Sequence, residues 1–252
     1  MINFHSINMK KKLLVALIAA LVMTILFLLS TGCLRAQDDN SQISGITTIQ
    51  TGESSRTIIF DSKGDSDWVR YTIDVDYFSI YAPSDYEVQA VPVEELTKHL
   101  SPDTANEIHR TALKEIIYVY PSANTGYIMI YGHDLSDEIS SIFDDPQKTK
   151  ISNDFYDKFV KDLELSLTTL NDSNIQTKVD SVEKDNNYYK INGNPARHVG
   201  INFEVKGQRL HGDGYLIAHE HLYYLEFYTA MEGASQADAS TASNIMQTFS
   251  IL

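Results

Sequence analysis

The sequence predicts an α+β fold in which one antiparallel sheet carries helices on both faces, an α/β/α sandwich. Three observations lead there. Tyr and Phe number 15 and 10 in a chain of 252 residues, and aromatic side chains suit a pleated, half-buried surface. The segment 194–230 alternates with period two, yet both sets of positions are rich in apolar residues, so neither face of that sheet can be left wet. Three further segments show helical spacing, enough to supply the covering layers.

Taken in order, "RTIIFD" (56–61) and "WVRYTIDVDYFSIYA" (68–82) read as strands. Val69, Tyr71, Ile73 and Val75 alternate with polar residues, as a half-buried strand requires. Pro83 in "APSDY" ends the second strand, because proline cannot donate to a ladder. Ser101 and Pro102 open a helix, a capping hydroxyl followed by proline in the first turn, with Ala105, Ile108 and Ala112 along one face. "EIIYVYP" and "GYIMIYG" are two more strands joined by "SANT". Ser152 caps the clearest helix, whose stripe is Phe155, Phe159, Val160, Leu163, Leu167 and Leu170. "IQTKVDSVEK" leads into the long strand region. The last helix starts near Ser235, with Asp238 three residues on as in a capping box, and buries Ala242, Ile245, Met246 and Phe249.

The strand region fixes a register. A two-residue turn at Lys206-Gly207 sets Val205 against Gln208, Glu204 against Arg209 and Phe203 against Leu210, so opposite charges and apolar partners coincide. A second turn centred on His219-Glu220 sets Leu216 against Tyr223, Tyr215 against Tyr224 and Asp213 against Glu226. One face then collects Val199, Ile201, Phe203, Leu210, Leu216, Tyr223, Leu225 and Phe227. The other keeps Tyr215, Ile217, Leu222, Tyr224 and Tyr228.

The amino-terminal segment gives an address. Lys10, Lys11 and Lys12 precede Leu13–Leu29, a run of 17 residues in which Thr24 alone is not apolar. A basic start before an apolar stretch is an export pattern. "LLSTGC" follows, and its Cys33 is the single cysteine of the chain, which excludes an internal disulfide and a Cys-rich zinc site. This stretch resembles the lipobox of prokaryotic lipoproteins, with Gly32 before the cysteine and Ser30 where that family most often has Leu. The resemblance implies that residues 1–32 are a lipoprotein signal peptide, cut away, and that the Cys33 thiol bears lipid. Acyl chains anchor a protein at about 0.8 kcal/mol per buried methylene. The alternative is an uncleaved anchor, since the run just reaches membrane-spanning length. Either way residues 34–252 face outward at the cell membrane, 33–54 reading as the lipidated cysteine and a polar linker, and 55–252 as one globular domain.

"DYFSIYAPSDYEV", "NGNPARHVGINFEVKG", "GYLIAHEHLYYLEFYTA" and "ASNIMQTFSI" together resemble the PsbP-like family in their order of elements. The residues that carry the likeness are Gly193, Pro195, Ala196, Tyr223, Tyr224, Leu225, Ile245, Thr248 and Phe249. That family includes the extrinsic oxygen-evolution subunit of photosystem II and many prokaryotic lipoproteins. The resemblance implies an antiparallel sheet between helices and a non-enzymatic role, with no catalytic motif to transfer.

Charge and motifs narrow the function. The formal net charge is −14; beyond the three lysines, 17 basic and 34 acidic residues remain, a net −17. Such a body repels phosphate backbones and excludes nucleic-acid binding. No G-x-S-x-G, H-E-x-x-H, phosphate loop or dinucleotide fingerprint occurs. His219-Glu220-His221 reads as a solvated hairpin tip, Asp61, Asp65 and Asp67 as a polar turn, and "HDLSDE" (133–138) as a loop. Asp213 and Glu226, facing each other with His211 on the same face, are the candidate cation ligands for calcium or zinc, with Arg197, Arg209 or a lysine as alternative relief of their repulsion. The expected function is a non-enzymatic binding or assembly role. It is carried by a lipoprotein anchored through Cys33 at the extracytoplasmic face, its partner an envelope protein or a small ligand. The alternative is a divalent-cation-binding module of the envelope.

Overall fold

The computed structural model describes residues 44–51, 54–62, 67–73, 78–92, 115–121, 126–134, 142–169, 177–205, 207–232 and 234–252, together with Glu94, Pro102 and Asn106. The segment expected to be a signal peptide, Cys33 and most of the helix expected near Ser101 lie outside these residues; Pro102 and Asn106 are helical.

The described strands are β1 (Ser44–Thr51), β2 (Ser54–Ser62), β3 (Trp68–Ile73), β4 (Phe78–Pro83), β5 (Tyr86–Pro92), β6 (Glu115–Pro121), β7 (Gly126–Asp134), β8 (Thr177–Lys184), β9 (Tyr189–Ile191), β10 (Asn194–Val205), β11 (Gln208–His219), β12 (Leu222–Met231) and β13 (Ser250–Ile251). The described helices are α1 (Asn153–Thr169) and α2 (Gln236–Met246). Every pairing is antiparallel, in a large sheet ordered β5-β6-β7-β12-β11-β10-β8, with β9 also on β10, and a smaller sheet ordered β1-β2-β3-β4-β13. The fold is therefore α+β with a large antiparallel sheet and two described helices.

Three expectations are corrected here. The 68–82 stretch is two strands, β3 and β4, because Ile73 pairs with Phe78 and the chain reverses between them. Asp74 and Asp76 in that interval are residues that favour turns over strands. These strands also leave the large sheet. Pro83 ends β4 without a donor, Ser84 N–H bonds back to Asp67 O at 2.7 Å, and the chain changes sheets before β5. The second face of the large sheet is consequently covered by α2 together with the smaller sheet, where helix alone was expected. Strand β1 also falls within the stretch read as linker and pairs with β2 from Ser44↔Asp61 to Thr51↔Ser54.

The two faces build two cores. On the first, Val199, Ile201, Phe203, Leu210, Leu216, Tyr223, Leu225 and Phe227 pack against α1 through Phe155, Phe159, Val160, Leu163 and Leu167. Ser152 Oγ accepts from Phe155 N–H at 3.0 Å and starts that helix as its cap. On the second face, Ile117, Ile128, Ile130, Ile217, Tyr224 and Tyr228 meet Phe78, Ile80 and Ala82 of the smaller sheet and Ala242, Ile245, Met246 and Phe249 of the last helical segment. Ser235 Oγ accepts from Asp238 N–H at 3.1 Å, the expected cap of α2. Each large apolar side chain buried in these layers stabilises by about 1.5–3 kcal/mol relative to exposure, an upper figure because unfolded chains are already partly compact.

The first hairpin keeps the expected register, Val205↔Gln208, Glu204↔Arg209 and Phe203↔Leu210, with Gly207 at φ 80 in the turn. The second slips by two residues. Its turn is Glu220-His221, with Glu220 at φ 52, and the pairs are Ala218↔Tyr223, Leu216↔Leu225, Tyr215↔Glu226 and Asp213↔Tyr228. Packing accounts for the slip. Phe227 lies over Gly212 and Gly214, where an added Cβ would come within 2.4 Å of the ring at Gly212 and 2.6 Å at Gly214. The slip also separates the two carboxylates that the expected register opposes.

Candidate functional site

The large sheet is interrupted at one margin. β8 accompanies β10 from Val205 back to Val199, and β9 resumes only at Ala196. Arg197 and His198 stand in the gap, with neither strand beside them. Asp185, Asn186 and Asn187 lead the chain across it, and the Tyr156 hydroxyl of α1 donates to the His198 carbonyl left open there. An Asn192-Gly193 turn, with φ 45 and 87 as a tight hairpin demands, then brings β9 onto β10. The Asn192 side-chain amide donates to Phe249 O at 2.6 Å, which ties this hairpin to the carboxy-terminal segment.

Alternation along β10 sends Arg197 and His198 to opposite faces. Arg197 points to the α1 side, 1 % exposed, with its guanidinium 4.1 Å from the Tyr156 ring centre and 4.6 Å from that of Tyr188. Nη1 donates to Asn153 Oδ1 at 2.9 Å, and Nη2 to Asp185 O at 3.5 Å. No carboxylate among the described residues pairs with it, so ring faces and neutral acceptors compensate its charge. Arg197 therefore cannot relieve Asp213 or Glu226, which belong to the other side. Arg209 reaches Glu232 instead, at 3.8 Å.

His198 points to the second face. Its Nε2 lies 2.6 Å from Asp213 Oδ1, with side chains 24 % and 38 % exposed. The hydrogen bond to the Asp213 carboxylate holds the imidazole above its ordinary value of 6.5, against the opposing effect of partial burial; the charges of Asp213, Asp185 and Glu183 add to the rise. Three rings close around this group: His198 to Tyr215 at 5.3 Å, Tyr189 to Tyr215 at 5.7 Å and Tyr189 to His198 at 6.2 Å between centres, all steeply inclined. The Tyr189 hydroxyl donates to the Asp185 carboxylate.

A row of cross-strand neighbours leads inward from His198 to Tyr215, Glu226, Ile130, Ile117 and Ala90. Glu226 is the first residue of that row to be fully buried, at 0 % exposure, and no group among the described residues hydrogen-bonds either carboxyl oxygen. Burial pushes its carboxyl well above the ordinary value of 4.5, because loss of water disfavours the ionised form.

The three residues read as cation ligands do not come together. His211 is exposed, with Nδ1 2.8 Å from Asn202 Oδ1; Asp213 is engaged by His198; Glu226 faces Tyr215 rather than Asp213. No group of three or more His, Cys, Asp or Glu among the described residues is arranged to hold a metal. His219, Glu220 and His221 are exposed at the hairpin tip as expected. His133 and Asp134, read as loop, close strand β7, with the His133 ring 5.4 Å from that of Tyr223. The lipidation candidate Cys33 lies outside the described residues. His198, Tyr189 and Asp185 escaped the sequence reading, because their convergence needs the register of β9, β10 and β11 at once; "DNN" ahead of "YYKING" was the available sign of a break.

Among the described residues no helix is long and apolar enough to cross a membrane. No family model matches the chain, and no curated protein matches it. Solved structures do resemble it at low identity. Cyanobacterial PsbP (CyanoP) from Synechocystis sp. PCC 6803 is 11% identical over 76% of this chain and 98% of that one, with a TM-score of 0.44. LpqN, involved in cell envelope biogenesis of Mycobacterium tuberculosis, is 10% identical over 84% and 92%, with a TM-score of 0.37. A protein from Bacteroides thetaiotaomicron VPI-5482 is 12% identical over 70% of this chain and 45% of that one, with a TM-score of 0.33.

Proposed function

We propose that this chain is a lipoprotein held through Cys33 at the extracytoplasmic face of a cell membrane, and that its domain works by binding an envelope protein rather than by catalysis. The observation that carries the reading is the seam in the sequence: Lys10–Lys12, the apolar run to Leu29, then Gly32-Cys33 and an abrupt polar turn. A peptidase needs the small residue before the cysteine, and the thiol at the membrane surface is where lipid is available. Two supports come from the folded part. Both broad faces of the large sheet are taken up by the molecule's own layers, which leaves edges, tips and the margin at Arg197-His198 for a partner. The net −17 of the exported part favours partners with basic surfaces over phosphate-bearing ones.

Metabolic labelling with a palmitate analogue, followed by crosslinking on intact cells, tests this directly. The wild-type protein takes up label, fractionates with membranes and crosslinks to another envelope protein. Cys33→Ser loses the label and the membrane association. Label retained by Cys33→Ser, or crosslinks to cytosolic proteins only, contradicts the proposal.

A further inference from the structure

Most polar groups at the break in the sheet margin are satisfied by one another. His198 engages Asp213, and Tyr189 engages Asp185. Glu226 is not: it is fully buried, its carboxyl oxygens have no hydrogen-bond partner among the described residues, and it lies directly across from Tyr215, one strand further in. A self-contained ion network has no need of such a group, and an apolar core is weakened by it. Its position has a use if a positive charge enters from the His198 side. The electrostatics favour that sign: Asp213 and Asp185 line the margin, with Glu183 close enough to act on His198. The rings favour it too. Tyr189, Tyr215 and His198 stand at 58°, 62° and 71° to one another, presenting inclined aromatic faces with carboxylates at their rim, the combination that attracts an organic cation.

From this convergence we infer that the margin formed by Asp185, Tyr189, His198, Asp213 and Tyr215, with Glu226 behind it, receives a basic side chain, lysine or arginine, of a partner protein. The inference rests on the binding role proposed above and names the chemistry of the partner. A side chain fits better than a free metabolite because the margin is open: Asp213 is more than a third exposed, whereas small-molecule sites enclose most of their ligand. A metal ion is the poorer occupant, since no three ligating side chains among the described residues converge. The incoming cation competes with the proton on His198 for the same rings and carboxylate, and it draws on Glu226 by favouring its ionised form. The titratable groups acting on His198 are Asp213 and Tyr215 from β11, Tyr189 from β9, Glu183 from β8 and Asp185 from the connection.

The test is an NMR titration of the full-length, isotope-labelled lipoprotein in non-ionic micelles. The probes are three blocked tripeptides, glycine flanking arginine, lysine or glutamine, together with tetramethylammonium and calcium chloride. The arginine and lysine peptides shift the resonances of His198 and Tyr215, and the glutamine peptide does not. Asp213→Asn and Tyr215→Leu each weaken that binding by about tenfold, the order expected for losing one charge or one ring contact. Glu226→Gln weakens it by about threefold or more, while Asp145→Asn, an acidic loop residue outside the margin, leaves it unchanged. The inference is overturned if neither basic peptide shifts these resonances, if the Asp145 variant loses as much as the Asp213 variant, or if calcium displaces the peptides. It is equally overturned if tetramethylammonium outcompetes both peptides, since the site then belongs to a free amine. Lipid labelling at Cys33 is unaffected by any of these results, so failure here is distinct from failure of the envelope assignment.

Discussion

Glu226 concentrates the residue-scale argument. A glutamate is expected on a wet face, yet its strand runs through the centre of the large sheet and every residue from Tyr223 to Ala230 is buried. Because its folded-state pKa lies above the ordinary 4.5, the folded protein binds more protons than the unfolded one above that pH. Stability therefore falls as pH rises through 4.5 and beyond. Glu226→Gln is expected to match the wild type in acid and to melt at higher temperature at neutral pH. Glu226→Leu is expected to gain about 1–3 kcal/mol by removing an unsatisfied buried group. Thermal melts across a pH series, monitored by circular dichroism in micelles, check both. The His198–Asp213 pair has the same sign, in a window that starts from the higher ordinary value of 6.5. A raised imidazole contributes stability below 6.5 that is lost as pH climbs through the folded value. Asp213→Asn should cost no more than about 1 kcal/mol below that pH, given its solvent exposure, and progressively less above it. A loss independent of pH would contradict the pairing.

At the scale of elements, the β11–β12 hairpin shows what a sequence can and cannot convey. The Lys206-Gly207 turn was legible because Glu204, Arg209, Phe203 and Leu210 all agreed with one register. The next turn was placed one residue early and every pair shifted by two. A two-residue slip preserves parity, so both apolar faces came out correctly although Asp213 and Glu226 were wrongly opposed. What decided the true register was the Phe227 ring above Gly212 and Gly214, a steric fit that alternation does not encode. Gly214→Ala tests it, because the new Cβ would lie 2.2 Å from the backbone oxygen of Glu226 in an adjoining central strand. A loss of about 1–3 kcal/mol or more is expected by urea unfolding. Gly200→Ala, whose Cβ would meet nothing closer than 3.5 Å, should change stability little. Equal effects at the two positions would count against this packing.

For the whole molecule, the helical stripe of α1, the caps at Ser152 and Ser235 and both faces of the long strands were readable, since each rests on local spacing. The division into two sheets was not. Strand β3 looks the same whether its neighbour is β4 or a strand of the large sheet, and the choice is made by Pro83 and by the core that Phe78, Ile80 and Phe249 build with Tyr224. The proposed binding margin was invisible for a related reason: it exists only where β8 stops, β9 begins, and three strands bring His198, Tyr215 and Glu226 into one row. The proposed address rests on residues 10–33 alone, because lipid attachment depends on a contiguous pattern. That address underlies the functional account. Its most direct measurement is mass spectrometry of the amino-terminal peptide of protein isolated from native membranes. The account predicts a peptide that begins at Cys33 and carries diacylglycerol on the thiol. An unmodified peptide running through Gly32-Cys33 would contradict it.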